Sequence, residues 1–168
     1  MLKGNPNGKN STYNQKAQEI IVKKHGIYAL KACAIDQQIE IRKTGLDVLS
    51  YLCQQRQDAN KAVEALGILE ICFDFIKQYP SEIIDHDVLC NCLDLVSEFV
   101  HPESKSLEKL MKKNCLNQLS ILLSMSLNQA QQEQKLSDPN QVKQEQQVIL
   151  KLCRIIKKFC RANAKCQD

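Results

Sequence analysis

The sequence predicts an all-α protein built from about three similar helical units. Two stretches 47 residues apart are nearly the same, GLDVLSYL at 45–52 and CLDLVSEF at 92–99. A third stretch, ILKLCRII at 149–156, keeps their apolar positions. The 168 residues include only 5 glycines, 4 prolines and no tryptophan, and this composition favours helices over sheets. Self-similarity at such a period is typical of repeat proteins, in which helical units stack on one another.

We expect the three stretches to be equivalent, position by position. Each set of matched residues is apolar, which is what a shared buried helix face requires. The matched sets are Leu46, Leu93 and Leu150; Val48, Leu95 and Leu152; and Leu49, Val96 and Cys153.

The first unit is predicted over residues 14–57. Its first helix, 15–25, has apolar residues at helical spacing and is followed by Gly26, a common helix terminator. A short apolar helix follows over 27–33. Asp36 can cap a third helix that runs to about residue 54.

The second unit, 58–101, repeats this order. Asp58 is a candidate cap, Gly67 breaks the chain, and Ser81 can cap a long helix that ends at His101 before a proline.

The third unit, 104–162, begins after Ser104, and Cys115 takes the place of the glycine. A Gln-rich insertion at 129–137 lengthens this unit. The dipeptide Asp138-Pro139 is a strong signal for the start of the last helix, since proline suits the first helical position.

The two ends of the chain differ from the body. Residues 1–13 are polar and Gly/Asn-rich, so we expect a disordered or loosely attached segment without the apolar core of a secretory signal. No apolar run approaches the 18 residues of a membrane span, and we expect a cytoplasmic protein. We expect residues 163–168 to form a short tail at the end of the basic C-terminal segment.

The sequence favours a protein without cofactor, metal or catalytic site. Its nine cysteines include no CxxC pair, so they are expected to be free, mostly buried thiols. His86, Cys90 and Cys92 are too few for a structural zinc site. Neighbouring residues of the DHD motif at 85–87 point in different directions, so it is interpreted as a polar, capped helix entrance.

At the stretch AVEALGILEICF (62–73) the chain resembles the armadillo repeat family, and the 45–52 and 92–99 stretches resemble that family's third helix. The resemblance covers about residues 14–162. It implies a short right-handed α-solenoid of about three three-helix repeats, and a non-catalytic scaffold or adaptor for protein partners. HEAT repeats, with two helices per unit, are the near alternative. An irregular helical bundle in which the similar stretches are coincidence also stays open.

The resemblance further implies a partner-binding groove lined by the third helices. The family commonly has an asparagine there that grips an extended peptide, but the matching positions are Tyr51, Glu98 and Ile155. The departure argues against clamping of a purely basic peptide. The preceding turns carry Cys90 and the remaining candidates, namely Lys43, Asp47, Asp94, Gln147 and Lys151. This pattern predicts a groove that is acidic over two units and basic over the last, suited to a mixed-charge protein surface.

The positive charge of the chain is concentrated at its end. Residues 151–168 contain six basic residues and one acidic residue, a net charge of +5. Such a stripe on one helix face is usually solvated surface, but it can attract an acidic protein, an anionic membrane or nucleic acid. The alternative function is therefore binding of nucleic acid or anionic surfaces through Lys151, Arg154, Lys157, Lys158, Arg161 and Lys165.

Among partners, an acidic protein surface ranks ahead of nucleic acid. The only aromatic residue in 151–168 is Phe159, which belongs to the apolar helix face and is not expected to stack on bases. We expect no small-molecule substrate. The role that the resemblance favours is a subunit of a larger assembly, such as a cytoskeletal or ciliary one.

Overall fold

The computed structural model describes residues 7–23, 25–79, 85–101, 104–133 and 139–165. The prediction of an all-α protein is confirmed: every regular element in these ranges is a helix. The nine helices found there are α1 Asn7–Lys23, α2 Gly26–Ala34, α3 Ile39–Gln55, α4 Gln57–Ala65, α5 Ile68–Gln78, α6 His86–Glu98, α7 Lys105–Lys112, α8 Cys115–Glu133 and α9 Pro139–Lys165.

The breaks between helices recur at one kind of residue. His25, Gly67 and Asn114 have positive φ angles of 60°, 67° and 57°, and they directly precede α2, α5 and α8 respectively. Gly67 was predicted correctly. Gly26 and Cys115 were not, because each is the first residue of its helix and the preceding residue takes the left-handed conformation. Histidine and asparagine adopt that conformation more readily than most residues.

Of three predicted helix caps in the described residues, one is confirmed and two differ in the structure. Ser104 does cap α7, since its Oγ accepts a hydrogen bond from the Ser106 amide at 3.2 Å. Asp36 instead accepts from the amide of Gln38, which precedes α3. Asp58 lies within the first turn of α4 and pairs with Arg56.

Helix α6 begins at a carboxylate cap. Asp85 caps α6 by accepting from the amides of Asp87 and Val88. This agrees with the interpretation of the DHD motif as a capped entrance. The other two predicted caps, Ser81 and Asp138, lie outside the described residues.

Three predicted segments differ in extent. Helix α1 begins at Asn7, inside the segment that was expected to be disordered or loosely attached. Helix α8 continues to Glu133, so the first half of the Gln-rich insertion is helical, while residues 134–137 lie outside the described part. Helix α9 continues to Lys165 and includes the start of the predicted basic tail.

We group the helices in chain order into the sets α1–α3, α4–α6 and α7–α9, and several helices at the same place in successive sets contact one another. Helix α6 packs against both α3 and α9, α1 packs against α4, and α5 packs against α8. Ser106 of α7 donates a hydrogen bond to the Glu64 carboxylate of α4. Within each set the middle helix packs against the third, giving the pairs α2–α3, α5–α6 and α8–α9.

One core runs through all three sets. Burial of its apolar surface supplies the main stabilisation of the fold, at roughly 25 cal/mol for each Å². Its largest fully buried side chains include Phe73, Phe99, Phe159, Leu46, Leu93 and Leu152. No helix in the described ranges combines the length and apolar character that crossing a bilayer requires.

The third stretch is buried in a different register from the predicted one. Leu150, expected to match Leu93, is 57% exposed, and Cys153 is exposed as well. Leu152 is fully buried instead, 59 residues after Leu93 rather than 57. With the same 59-residue offset, Val148 is equivalent to Leu89 and Ile155 is equivalent to Val96, and all four residues are buried. The equivalence of the third stretch was therefore wrong by two residues.

Candidate functional site

The face predicted to form a groove contains contacts between neighbouring third helices. The Lys43 ammonium of α3 lies 2.7 Å from the Asp87 carboxylate of α6 and 3.9 Å from Asp85. The Asn91 side-chain amide of α6 donates to the Lys43 carbonyl at 3.1 Å. Hydrogen bonding to Asp87 raises the pKa of Lys43. Lys43 thus joins α3 to α6, and its charge is already compensated.

A second ion pair joins α6 to α9. Lys151 donates a hydrogen bond to the Asp94 carboxylate, and the Lys151 side chain is largely covered. The sequence predicted that Asp94 and Lys151 would present opposite charges to a partner. Because the two residues neutralise each other, their charges hold the helices together instead.

The other predicted groove residues divide into accessible and buried groups. Asp47, Tyr51 and Gln147 are exposed, and Glu98 is half-buried. Ile155 is only 2% exposed and belongs to the core, so its assignment as a partner-contacting residue was wrong. Cys90 is buried too. Ile155 is buried because the two-residue shift of α9 turns this position toward the helices that α9 packs against, α6 and α8.

The basic residues predicted on α9 do gather on one side. A depression of about 370 Å³ lies between α6 and α9, over Ile155. The Lys158 ammonium donates to the carbonyl and the hydroxyl of Ser97, at 2.9 and 2.7 Å. The side chain of Lys165 lies outside the described part. We call this depression the basic cleft; its five basic side chains are those of Lys151, Arg154, Lys157, Lys158 and Arg161.

A buried polar cluster, which the sequence did not predict, joins α6 and α9 at their N-terminal ends. The Glu145 side chain is 1% exposed, and its Oε1 atom lies 2.8 Å from His86 Nε2. The Tyr79 hydroxyl donates to the same oxygen at 3.0 Å. Burial alone raises the pKa of Glu145, but the hydrogen bonds from His86 and Tyr79 outweigh it and lower the pKa. The ionised carboxylate accepts from both groups.

Glu145 is flanked by glutamines at 144, 146 and 147, so the local composition does not indicate that its side chain is buried. The signal that identifies it is its spacing, since it precedes the buried residues Val148, Leu152 and Ile155 by three, seven and ten positions. Those intervals place all four side chains on one helix face.

Five of the eight described cysteines are buried, those at positions 53, 72, 90, 92 and 115. Burial raises the pKa of the Cys53 thiol to about 12 and that of Cys90 to about 11. A hydrogen bond with Cys72, together with burial, raises the pKa of Cys92 well above its ordinary value. Among the described residues, no three His, Cys, Asp or Glu side chains are arranged to hold a metal ion.

The chain matches no protein-family model, no curated protein and no solved structure. Inferences about its function therefore depend on its own residues and their contacts.

Proposed function

We propose that the chain is a non-catalytic scaffold for protein partners, built as a short right-handed solenoid of three armadillo-like repeats. The repeats are α1–α3, α4–α6 and α7–α9. Their third helices provide the binding surface, and the protein works as a subunit of a larger cytoplasmic assembly. A cytoskeletal or ciliary assembly fits this role.

The observation that carries the proposal is the serial contact of equivalent helices. In a solenoid each unit packs on the next, which brings equivalent helices of neighbouring units into contact. The contacts α3–α6–α9, α1–α4 and α5–α8 follow this order, as does the hydrogen bond between α4 and α7. A repeat array presents an extended surface, which is how such proteins bind partners.

The proposed partner-contacting residues are those that remain accessible on the third helices. Tyr51 is 43% exposed, and large aromatic side chains often dominate the energetics of protein interfaces. Asp47 lies one turn before it, and Glu98 occupies the matching position on α6. Among the described residues no ion pair involves Asp47 or Glu98, so both charges are available to a partner.

Affinity purification of the tagged full chain from its native cells, followed by mass spectrometry and size-exclusion chromatography, tests the proposal. We expect the chain to elute in a complex with a defined set of proteins. The double variant Asp47→Arg, Glu98→Arg should lose those proteins. Asp74→Arg, Glu108→Arg is the matched control, because it makes the same charge change at exposed positions of α5 and α7.

Two results would contradict the proposal. One is a chain that elutes alone under gentle extraction and yields no reproducible partner. The other is a groove variant that keeps every partner in wild-type amounts, which would place binding elsewhere on the molecule.

A further inference from the structure

We infer that the basic cleft binds an acidic segment of a partner protein, in an extended conformation with alternating carboxylates. The inference rests on the proposed function and assigns a ligand class to one part of the surface. Three features of the cleft support it: a fixed lysine whose charge is not neutralised, further free cations, and the spacing of these groups.

Lys158 is held in place by neutral atoms. A lysine ammonium has three N–H donors, and here two of them bind the carbonyl and hydroxyl oxygens of Ser97. Neither oxygen bears a formal charge, so the positive charge remains. The third donor is available to a ligand. An ammonium that is fixed in this way loses less side-chain entropy on binding than a freely rotating one.

Three further cations of the cleft are also uncompensated. Asp94 neutralises Lys151, whereas no ion pair in the described ranges involves Arg154, Lys157 or Arg161, all of which are exposed. The five basic side chains thus face one carboxylate, which leaves a net charge of +4 around a single depression. Charges of one sign lining a concave surface reinforce each other's attraction for an opposite charge.

The spacing along α9 fits alternate residues of an extended peptide. Arg154 and Lys158 are four residues apart, or about 6 Å along the helix axis at about 1.5 Å per residue. Side chains on one face of an extended peptide recur about every 7 Å. Two carboxylates separated by one residue can therefore meet Arg154 and Lys158 together. Guanidinium groups such as that of Arg154 bind carboxylates through two parallel hydrogen bonds.

The cleft suits such a peptide better than nucleic acid or a lipid surface. Proteins that bind single-stranded nucleic acid stack bases on aromatic side chains, and the described lining of the cleft contains none. A membrane is a flat surface, whereas these cations surround a depression between two helices. The about 370 Å³ volume holds a few side chains of a peptide.

Fluorescence anisotropy with a synthetic probe tests the inference. The probe is a fluorescein-labelled ten-residue peptide in which Glu alternates with Ala, and the Gln/Ala peptide is its neutral counterpart. Each is titrated with the full chain, first in low salt and then in 150 mM salt. The cleft variant is Arg154→Glu, Arg161→Glu. The matched control is Lys61→Glu, Lys77→Glu, which changes the net charge equally at exposed positions of α4 and α5. Far-UV circular dichroism checks that both variants fold.

We expect the Glu/Ala peptide to bind, with at least tenfold weaker binding to the cleft variant and less than a twofold change for the control. The Gln/Ala peptide should not bind. Equal losses in the cleft variant and the control would overturn the inference, because binding would then follow net charge alone. Absence of binding in low salt would overturn it too. So would tighter binding of a ten-nucleotide RNA, or of vesicles with 30% phosphatidylserine, that also requires Arg154 and Arg161.

Failure of this inference can be told apart from failure of the proposed function. If the wild-type chain recovers its cellular partners and the cleft variant recovers the same set in the same amounts, the scaffold proposal survives and the cleft assignment is wrong. If the wild-type chain recovers no partner, the proposed function itself fails, whatever the peptide does.

Discussion

Replacing the buried carboxylate of Glu145 should strongly destabilise the protein. Its Oε1 atom accepts from His86 Nε2 at 2.8 Å and from the Tyr79 hydroxyl at 3.0 Å. In Glu145→Ala both donors lose this acceptor, and a cavity replaces the side chain. A hydrogen bond to a charged group contributes about 1.5–3 kcal/mol, and the Glu145 carboxylate accepts two of them. We expect the free energy of unfolding to fall by about 3–5 kcal/mol.

Urea unfolding followed by circular dichroism measures this loss. Glu145→Gln keeps the shape and one acceptor oxygen but removes the charge, so we expect a smaller loss of about 1–3 kcal/mol. Gln146→Ala is the matched control: it alters the next residue of α9, which is exposed, and should change stability by less than about 0.5 kcal/mol. A loss below about 1 kcal/mol in Glu145→Ala would refute the structural importance of the cluster.

The lowered pKa of Glu145 predicts that the stability of the protein depends on pH. The hydrogen bonds from His86 and Tyr79 lower the folded-state pKa of Glu145 below its ordinary value of 4.5. The ionised carboxylate therefore stabilises the fold fully above that value, and this contribution disappears as the pH falls through the lower folded-state pKa. The stability difference between the wild type and Glu145→Gln should therefore shrink as the pH falls below 4.5, because the wild-type carboxylate then takes up a proton. A difference that grows below that pH would contradict the assignment.

Three further predictions concern packing and cysteine reactivity. Gly45→Ala should destabilise by about 1–3 kcal/mol, because the added Cβ would lie 2.7 Å from the Cys33 Cβ between α2 and α3; urea unfolding checks this. Phe73→Ala removes a ring from the core and should cost about 3–5 kcal/mol in the same measurement. Ellman's reagent should modify the exposed Cys153 and Cys160 in the folded protein, while buried thiols such as Cys53, whose pKa is raised by burial, react only after unfolding.

The local sequence pattern was sufficient to predict the helices but not the residues at which they start. Helix α5 and its preceding Gly67 follow from apolar periodicity and a glycine between two helical patterns. His25 and Asn114 occupy the same left-handed position without being glycine. The sequence indicates Gly26 as the break, because glycine is the usual residue at such positions. Only the backbone geometry shows that the preceding residue, His25, adopts the left-handed conformation.

The candidate binding surface was predictable only in part, because the pattern of one helix does not show how its charged residues pair with those of another helix. The stripe on α9 was predicted from spacing, and the structure brings Arg154, Lys158 and Arg161 to one cleft. The opposite charges of Asp94 and Lys151 were also recognised. That they neutralise each other depends on how closely α6 and α9 approach, which the chain's local pattern does not determine.

The two-residue error in the third stretch has a physical cause that is related to its position in the chain. Helix α6 packs against α3, α5 and α9, so apolar residues are favoured around much of its circumference, and most of Val88 to Val96 is buried. The main contacts of α9 are with α6 and α8, which leave a narrower buried stripe. An apolar residue such as Leu150 can then lie outside that stripe without disturbing the core. Sequence similarity between the stretches consequently weakens in α9, and burial defines the register of that helix better than residue-by-residue similarity does.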